Sequence, residues 1–279
     1  MTVATDRTAT EIAPAPSIFS RSLVGVDGSA ESGEAARQAA RLAETEGELT
    51  LLSAYDIAPA IVGGTGIGVP AYFDEDLQRE RATKALQQAR ERIPGDDRAT
   101  EKLARGCPWD ELIREAKREQ STLIAVGSHG VGRALGIVIG STATEVVHKA
   151  PCSVLVAREA GPEFPRRIVV GVDGSPESAA AYAAARHLSE RYGAELWPVV
   201  AHGGKGVDKS RVAAILDHHH EDLPDEPVPA LVAATADADL LVVGSRGLHG
   251  VRSLGSVSER AAHQARSSVL IVRDGGRGN

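Results

Sequence analysis

The stretch Leu123-Ile124-Ala125-Val126-Gly127-Ser128-His129-Gly130, followed after nine residues by Gly140-Ser141-Thr142, decides the fold and locates a candidate site. The apolar run predicts a buried strand, and residues Thr142 to Lys149 predict a helix. Between them lies a glycine-rich loop whose backbone can approach a ligand closely. Unpaired amide groups and the helix dipole point to the same place in such an arrangement. We therefore expect a phosphate-bearing ligand here.

The composition bounds the class of protein. The chain has 279 residues, of which 42% are hydrophobic, 25% charged and 3% aromatic, with a net charge of -7. This length predicts about two domains, at roughly 150 residues each. The negative net charge argues against a nucleic-acid surface, and no apolar run approaches the roughly 18 residues that span a membrane. We expect a soluble protein that binds neither nucleic acid nor membrane.

The cysteines and the N-terminus favour a cytoplasmic location. Cys107 and Cys152 lie far apart in the sequence and form no CxxC pair, which indicates a reducing compartment. Residues 1–18 mix Thr, Ala, Pro and acidic residues and have no apolar segment typical of a secretory signal. We predict that they form a flexible tail.

The chain repeats itself. Three motifs of the first half recur in the same order in the second half, which is typical of a tandem duplication. The paired motifs are LVGVDGSAES at 23–32 with VVGVDGSPES at 169–178, IAVGSHG at 124–130 with LVVGSRG at 241–247, and SVLVAR at 153–158 with SVLIVR at 268–273. We predict a first domain at 19–160 and a second at 161–279, with a short linker near Glu159–Arg166, so that the two halves touch.

Each half alternates strand, turn and helix. The short Val/Leu runs predict buried strands of a parallel sheet, whose ligands bind beyond the carboxyl ends of the strands. Ser29 and Ser175 are predicted helix N-caps, and Pro176 occupies a first helical position. We predict two doubly wound, Rossmann-like α/β domains with five-stranded parallel sheets, the second truncated. One helix is predicted to pack on the core through Leu77, Ala82, Ala85, Leu86, Ala89 and Ile93.

From about Ile18 to Arg273, the chain resembles a tandem universal stress protein. In one nucleotide-binding subclass of that family, Gly, two residues, Gly and nine residues precede Gly-Ser or Gly-Thr. Gly127, Gly130 and Gly140-Ser141 match that spacing without a gap, and Val26–Ser29 match the Val-Asp-Gly-Ser hallmark after the first strand. The resemblance implies an adenine nucleotide in the first half: ATP, or ADP or AMP, with or without Mg²⁺.

The resemblance also implies a role for each matched position. Asp27 would lie near adenine and ribose, Ala54 would meet adenine through its backbone, and Gly127 would approach the ribose. Gly130, Gly140 and Ser141 would cradle phosphates, with Thr142 as a further donor. The complete candidate set is Val26, Asp27, Gly28, Ser29, Ala54, Gly127, Ser128, His129, Gly130, Gly140, Ser141 and Thr142.

Two of these residues have a second interpretation. An Asp at a strand-to-helix turn often only bonds the neighbouring amides, although we favour a ligand role for Asp27. His129 can contact phosphate when protonated, or it can be a solvated loop residue. The sequence leaves the choice for His129 open.

The second half departs from the pattern. Seven residues separate Gly247 from Gly255-Ser256, against nine in the first half. The span from Asp173 to Gly244 is 71 positions, whereas the matching span in the first half is 100, so 29 residues are missing. We expect most of the second helix to be absent, and the sequence leaves open whether a strand is lost too. This predicts a degenerate or empty second site.

Three other features of the sequence favour a structural role. Gly63–Gly68 is glycine-rich but lacks the Lys-Ser or Lys-Thr of a P-loop, which favours a mobile loop over a lid. The run Asp217–Asp222 contains three histidines, and we favour a solvated loop over a metal site. Cys152 is expected to be a small buried apolar residue.

The sequence contains no nucleophile elbow, HExxH or kinase signature, so no catalytic motif is present. We expect a nucleotide-binding stress or signalling module and not an enzyme. Weak ATP hydrolysis and an interaction protein with a relic glycine loop are the alternatives. The final strands at 153–157 and 269–272 are expected to pair as an internal pseudo-dimer, and a homodimer is left open.

Overall fold

Most strands of the chain belong to one sheet. The computed structural model describes residues 18–56, 60–62, 69–71, 74–130, 139–203, 207–216, 220–245 and 257–273. The strands are β1 (Arg21–Gly25), β2 (Glu48–Tyr55), β3 (Ala60–Val62), β4 (Val69–Ala71), β5 (Ala99–Arg105), β6 (Leu123–Gly127), β7 (Ser153–Ala157), β8 (Arg167–Gly171), β9 (Glu195–Ala201), β10 (Glu221–Leu223), β11 (Leu240–Gly244) and β12 (Ser268–Val272). The tail predicted at 1–18 lies outside this part of the chain, except for Ile18.

The ten-stranded sheet has the order β10-β9-β8-β11-β12-β7-β6-β1-β2-β5. Pairing is parallel within each half, as predicted, and antiparallel only between β7 and β12, where Leu155 faces Leu270. The two halves therefore share one continuous sheet, joined through their final strands. This pairing of final strands is the internal arrangement that the sequence predicts. Strands β3 and β4 form a separate antiparallel pair that the sequence analysis does not contain.

The helices connect the parallel strands and begin at the predicted caps. The Ser29 hydroxyl accepts a hydrogen bond from the Ser32 amide, and the Ser175 hydroxyl accepts one from the Ser178 amide. Pro176 occupies the first turn of its helix, as expected. The helices are α1 (Ala30–Leu42), α2 (Glu75–Glu91), α3 (Pro108–Arg118), α4 (Ser141–Lys149), α5 (Pro176–Tyr192), α6 (Lys209–Ile215), α7 (Pro227–Ala234) and α8 (Val257–Gln264).

Helices cover both faces of the sheet and bury two cores. One core lies under α1, α2, α5 and α6, and the other lies under α3, α4, α7 and α8. Each core runs through both halves, because the strands of both halves contribute side chains to each. The molecule is therefore a three-layer α/β protein of the doubly wound type, as the strand and helix pattern predicts.

The predicted apolar stripe of α2 is confirmed except at Leu77, near the start of the helix. Ala82, Ala85, Leu86 and Ala89 are buried, and Ile93 is buried just beyond the helix, but Leu77 is 43% exposed. Helix α2 packs on β2 and β5, the two outermost strands of its half. No strand lies beyond β5 for the outer flank of α2 to pack on, which leaves Leu77 exposed to solvent.

The shortening of the second half is divided between helix and strand. Helix α6 has seven residues where α2 has seventeen, as expected for the missing second helix. Strand β10 is retained with three residues, where β5 has seven. The deletion therefore shortens the outer wall of the second half and leaves the strand order intact.

Two arginines cross between the halves at the central strand pair. Arg158 follows β7 and donates to the carbonyls of Ala262 and Ser267 in the second half, at 2.5 and 3.0 Å. Arg273 follows β12 and donates to the carbonyls of Val147 and Ala150 in the first half. Burial lowers the pKa of Arg158 to about 10, which leaves it charged at neutral pH. Each half thus holds the C-terminal end of a helix in the other.

The segment between the halves packs against α1. Arg37 donates to the carbonyls of Ala160 and Gly161, and Arg41 donates to that of Phe164, whose side chain is buried. Arg191 of α5 donates to the carbonyls of Leu42 and Ala43 at the end of α1, so the predicted contact between the halves is present on this side as well.

We expect that replacing Glu115 by Gln will make the free energy of unfolding depend less steeply on pH in the acid range. Burial acts to raise the pKa of Glu115, but hydrogen bonds from Arg118 and Lys102 outweigh it and lower the pKa to about 2, against 4.5 ordinarily. A lowered pKa contributes stability above about pH 4.5, which is lost as the pH falls towards 2.

The expected loss for Glu115→Gln at pH 7 is about 1 kcal/mol, because the partners remain solvated. Urea unfolding between pH 2 and 7 measures it. If the free energy of unfolding fell equally steeply with decreasing pH in the wild type and the variant, this expectation would be contradicted.

Candidate functional site

A cavity of about 300 Å³ lies at the carboxyl ends of β1, β2 and β6. The chain runs outward from β1 to β2 on one side and returns to β6 on the other side, so this is a topological switch point. Doubly wound sheets bind ligands at such points. The described residues around the cavity are Gly25, Val26, Asp27, Ser32, Leu52, Ala54, Pro108, Leu112, Val126, Gly127, His129, Gly130, Gly140, Ser141, Thr142 and Ala143.

The turn after β1 is held by its own side chains. Asp27 Oδ1 accepts hydrogen bonds from the Ser29 amide at 3.0 Å and from the Ser29 hydroxyl at 2.6 Å. The Ser29 hydroxyl also caps α1, and Gly28 adopts a φ of +84°, which favours glycine. Asp27 therefore has the structural role that the sequence offered as an alternative, and it also borders the cavity.

Helix α4 presents a different kind of N-terminus. Its N-cap is Gly140, and no side chain caps the first turn, which also contains no acidic residue. Gly140, Ser141, Thr142 and Ala143 all border the cavity. First-turn amides lack partners within their own helix and carry the positive end of its dipole. The first turn of α4 is therefore suited to an anion, whereas that of α1 is closed by Ser29.

Gly130 brings the loop after β6 against Asp27. A Cβ at position 130 would lie 2.5 Å from Asp27 Oδ2, so a side chain there would displace the carboxylate. The loop is held in turn by a hydrogen bond of 2.7 Å from the Gly140 amide to the Ser128 carbonyl. Asp27, which the resemblance places near adenine and ribose, therefore lies directly beside Gly130.

Gly127 is required by packing. A Cβ at position 127 would lie 2.7 Å from the carbonyl carbon of Glu31 and 2.8 Å from the Ser32 amide nitrogen, both in the backbone of α1. A Cβ at Gly244 would meet Glu177 and Ser178 in the same way at 2.4 to 2.8 Å. Close helix-to-strand approach thus accounts for this glycine in both halves, independently of a ligand.

The structure brings together nine of the twelve candidate residues around the cavity. Gly28, Ser29 and Ser128 are not among the residues that border it. Ser128 is buried, its amide donates to the Ala157 carbonyl at 2.9 Å, and its hydroxyl lies 3.1 Å from His129 Nδ1. Gly28 and Ser29 belong to the turn after β1, and Ser128 belongs to the start of the loop after β6. These three residues support the conformation of the turn and the loop without lining the cavity.

Sequence reasoning missed the wall formed by α3. Pro108 and Leu112 border the cavity, together with Gly25, Ser32, Leu52, Val126 and Ala143, none of which was a candidate. Pro108 at the start of α3 is a signal that could have been used, because it places a helix N-terminus directly after the edge strand β5. The cavity lining thus includes the apolar side chains Leu52, Leu112 and Val126 besides the glycine loop.

The second half repeats the turn but not its surroundings. Asp173 Oδ1 accepts from the Ser175 amide and hydroxyl at 2.9 and 2.5 Å, as Asp27 does from Ser29. A Cβ at Gly174, however, would lie 2.7 Å from the carbonyl oxygen of Asp208, the cap of the short helix α6. The loop that contains Gly247, Gly255 and Ser256 lies outside the described residues. The predicted degenerate site therefore stays a prediction.

Other predictions of the sequence analysis fall partly outside the described chain. Gly63–Gly68 and residues 217–219 of the histidine run are in that group. His220 Nε2 lies 3.6 Å from Asp222 Oδ1, and within the described ranges no group of three or more potential ligands is placed to hold a metal ion. Cys152 is buried, as predicted, and burial raises the pKa of its thiol to about 12. No helix in the described part is long and apolar enough to cross a membrane.

We expect replacing Ser29 by Ala to separate structure from ligand binding. The variant loses the N-cap of α1, which costs about 1 kcal/mol of unfolding free energy. Ser29 does not border the cavity, so the affinity for a ligand held there should stay within about twofold of the wild type. Thermal unfolding and calorimetric titration measure the two quantities. A large loss of affinity with unchanged stability would show that Ser29 contacts the ligand.

Fold and site together define a class of protein: a tandem three-layer α/β protein with a cavity at the carboxyl edge of its first half. The family model described as the universal stress protein family matches residues 19–158 and 202–273. The chain therefore belongs to the universal stress protein family, as a tandem member.

Two curated relatives agree with this assignment, and a solved structure shares the fold. The chain is 30% identical over 287 residues to a universal stress protein of Mycolicibacterium smegmatis, covering 90% of this chain and 96% of the relative. It is 32% identical over 286 residues to one of Mycobacterium tuberculosis, with the same coverage. A universal stress protein structure from Archaeoglobus fulgidus superposes with a TM-score of 0.69 at 22% identity, covering 92% of this chain and 97% of that one. This last likeness shows the fold alone.

Proposed function

We propose that the first half binds an adenine nucleotide in the cavity at the carboxyl ends of β1, β2 and β6. The chain then acts as a stress-response or signalling module whose occupancy biases its conformation or its choice of partner. The observation that carries this proposal is the N-terminus of α4, which lacks a side-chain cap and borders the cavity beside Gly130. The family assignment is consistent with it.

The two sides of the cavity suit the two ends of such a ligand. Leu52, Leu112 and Val126 offer an apolar surface for the base, with Ala54 at the end of β2. The first-turn amides of α4 and the backbone at Gly130 would hold phosphates. Asp27, next to Gly130, would accept a ribose hydroxyl or hold Mg²⁺ against the phosphates. A cavity of about 300 Å³ lies at the lower end of the usual range for ligand sites.

The proposal is for binding and not for turnover. Asp27 and His129 are the acidic and the basic side chain among the described residues around the cavity. Asp27 Oδ1 is committed to Ser29, and His129 lies beside Ser128. Phosphoryl transfer normally needs a held metal and a positioned base. Weak ATP hydrolysis remains the second candidate function, favoured by the position of Asp27 beside the loop.

Calorimetric titration of nucleotide-free protein tests the proposal. ATP, ADP and AMP, each with and without Mg²⁺, should bind, and adenosine should bind at least tenfold more weakly because it lacks phosphate. A double variant with Gly130→Asp and Gly140→Asp should bind none of them. Gly161→Asp is the matched control. A Cβ at position 161 would meet no atom within 4 Å, and Gly161 does not line the cavity. Absence of heat and of a thermal shift with every nucleotide would favour an interaction protein with a relic loop.

We propose that the second half is a scaffold with a degenerate site, that the domains divide near residues 160 and 161, and that the protein acts in the cytoplasm. A homodimer beyond the internal pairing is also a proposal. Sedimentation of the purified chain would measure its oligomeric state.

A further inference from the structure

Helix α4 touches the candidate site at one end and the second half at the other. Its first turn, from Ser141 to Ala143, borders the cavity. Its last turn, about 12 Å away at 1.5 Å per residue, makes its contacts with residues of α8 and with Arg273. The element that would hold phosphate is therefore positioned from the opposite half of the chain.

Arg273 is the main contact at that far end. Its guanidinium donates to the Ala150 carbonyl at 2.6 Å and to the Val147 carbonyl, which are terminal carbonyls of α4. Its amide donates to the Ser153 hydroxyl at 3.1 Å, which fixes the arginine to β7. A cation at a helix C-terminus satisfies unpaired carbonyls and interacts favourably with the dipole.

Two more contacts tie the same turn. His148 Nε2 lies 2.8 Å from Glu259 Oε1 in α8 of the second half. Lys149 Nζ lies 3.8 Å from the centre of the Trp109 ring in α3, next to Pro108 in the cavity wall. The last turn of α4 is thus held from both sides, while the first turn has no side-chain cap.

We infer that the second half sets the nucleotide affinity of the first half, with Arg273 and Glu259 as positioning residues for α4. A rigid helix transmits the placement of its far end to its first-turn amides, which hold phosphate only at hydrogen-bond distance. This inference rests on the proposed function. By linkage, a bound nucleotide strengthens the contact between the halves by the same factor.

The duplication supplies a matched control. Arg158 occupies the position equivalent to Arg273 and donates to the carbonyls of Ala262 in α8 and of Ser267 just before β12. Its amide donates to the Ser268 hydroxyl at 3.0 Å, as that of Arg273 does to Ser153. Both arginines cross the same strand pair, but the guanidinium of Arg158 donates its hydrogen bonds to the second half and that of Arg273 donates to the end of α4.

The experiment compares Arg273→Met with Arg158→Met by thermal unfolding and by calorimetric titration with ATP and Mg²⁺. We expect similar losses of thermal stability in both variants. ATP affinity should fall between 5- and 100-fold in Arg273→Met and stay within twofold of the wild type in Arg158→Met. Arg273→Lys, which keeps the charge and one donor, should recover part of the affinity. Glu259→Gln should lower it by a smaller factor.

Two outcomes would overturn the inference. One is unchanged ATP affinity in Arg273→Met, and the other is an equal loss in Arg158→Met, which would indicate general loosening between the halves. Both differ from failure of the proposed function, in which the wild type itself binds no nucleotide.

Discussion

Replacing Gly140 by Asp is expected to abolish nucleotide binding while slightly stabilising the fold. Gly140 is the N-cap of α4 with φ -62° and ψ 160°, a conformation that Asp adopts readily. A Cβ there meets its nearest atoms at 3.7 Å, which is ordinary contact. The new carboxylate would bond the amides of Thr142 or Ala143 and so occupy the anion site. We expect affinity for ATP to fall at least 100-fold, or about 2.7 kcal/mol.

The effect on stability has the opposite sign. A good N-cap and a negative charge at the positive end of the dipole together add about 0.5 kcal/mol, with Asp27 nearby limiting the gain. Gly140→Ser provides the uncharged comparison and should lose less affinity, because a hydroxyl competes for one amide without repelling phosphate. A folded Gly140→Asp protein that binds ATP like the wild type would show that α4 does not hold the phosphates.

Replacing Gly127 by Val is expected to cost at least about 3 kcal/mol of unfolding free energy. The added Cβ would lie within 2.8 Å of backbone atoms of Glu31 and Ser32, which cannot move without displacing α1 from the sheet. Gly244→Val should destabilise comparably, because its Cβ would meet the backbone of α5 in the same way. Urea unfolding measures both variants.

Gly161→Ala is the control for this series, since a Cβ at that position meets nothing within 4 Å. It should unfold within about 0.5 kcal/mol of the wild type. If Gly127→Val were as stable as the wild type, the close approach of α1 to β6 would be wrong. If Gly127→Val lost nucleotide affinity but kept the wild-type free energy of unfolding, Gly127 would be assigned a role in ligand binding.

Local chemistry made much of the fold predictable. Ser29 and Ser175 cap the helices that follow them, because a hydroxyl at that position bonds an amide three residues on. The helix after the glycine loop begins within one residue of its predicted start, at Ser141 and not at Thr142. The duplication then fixed the order of the elements in the second half.

Long-range packing accounts for what the sequence did not reveal. Pro108 and Leu112 reach the cavity because α3 packs on β1 and β2. Pro108 marks where α3 begins, but no local pattern encodes which strands the helix packs on. Gly127 matches a ligand motif, yet its immediate constraint is the backbone of α1. The crossing of Arg158 and Arg273 depends on the antiparallel meeting of β7 and β12, which only the assembled sheet brings about.

Native mass spectrometry of the nucleotide-free chain with added ATP and Mg²⁺ would test nucleotide binding by the first half. We expect one adenine nucleotide per chain in the wild type and none in Gly140→Asp, with both proteins folded. A folded wild type that retains no nucleotide at saturating ATP would contradict the proposed function. Two nucleotides per chain would contradict the assignment of binding to the first half alone.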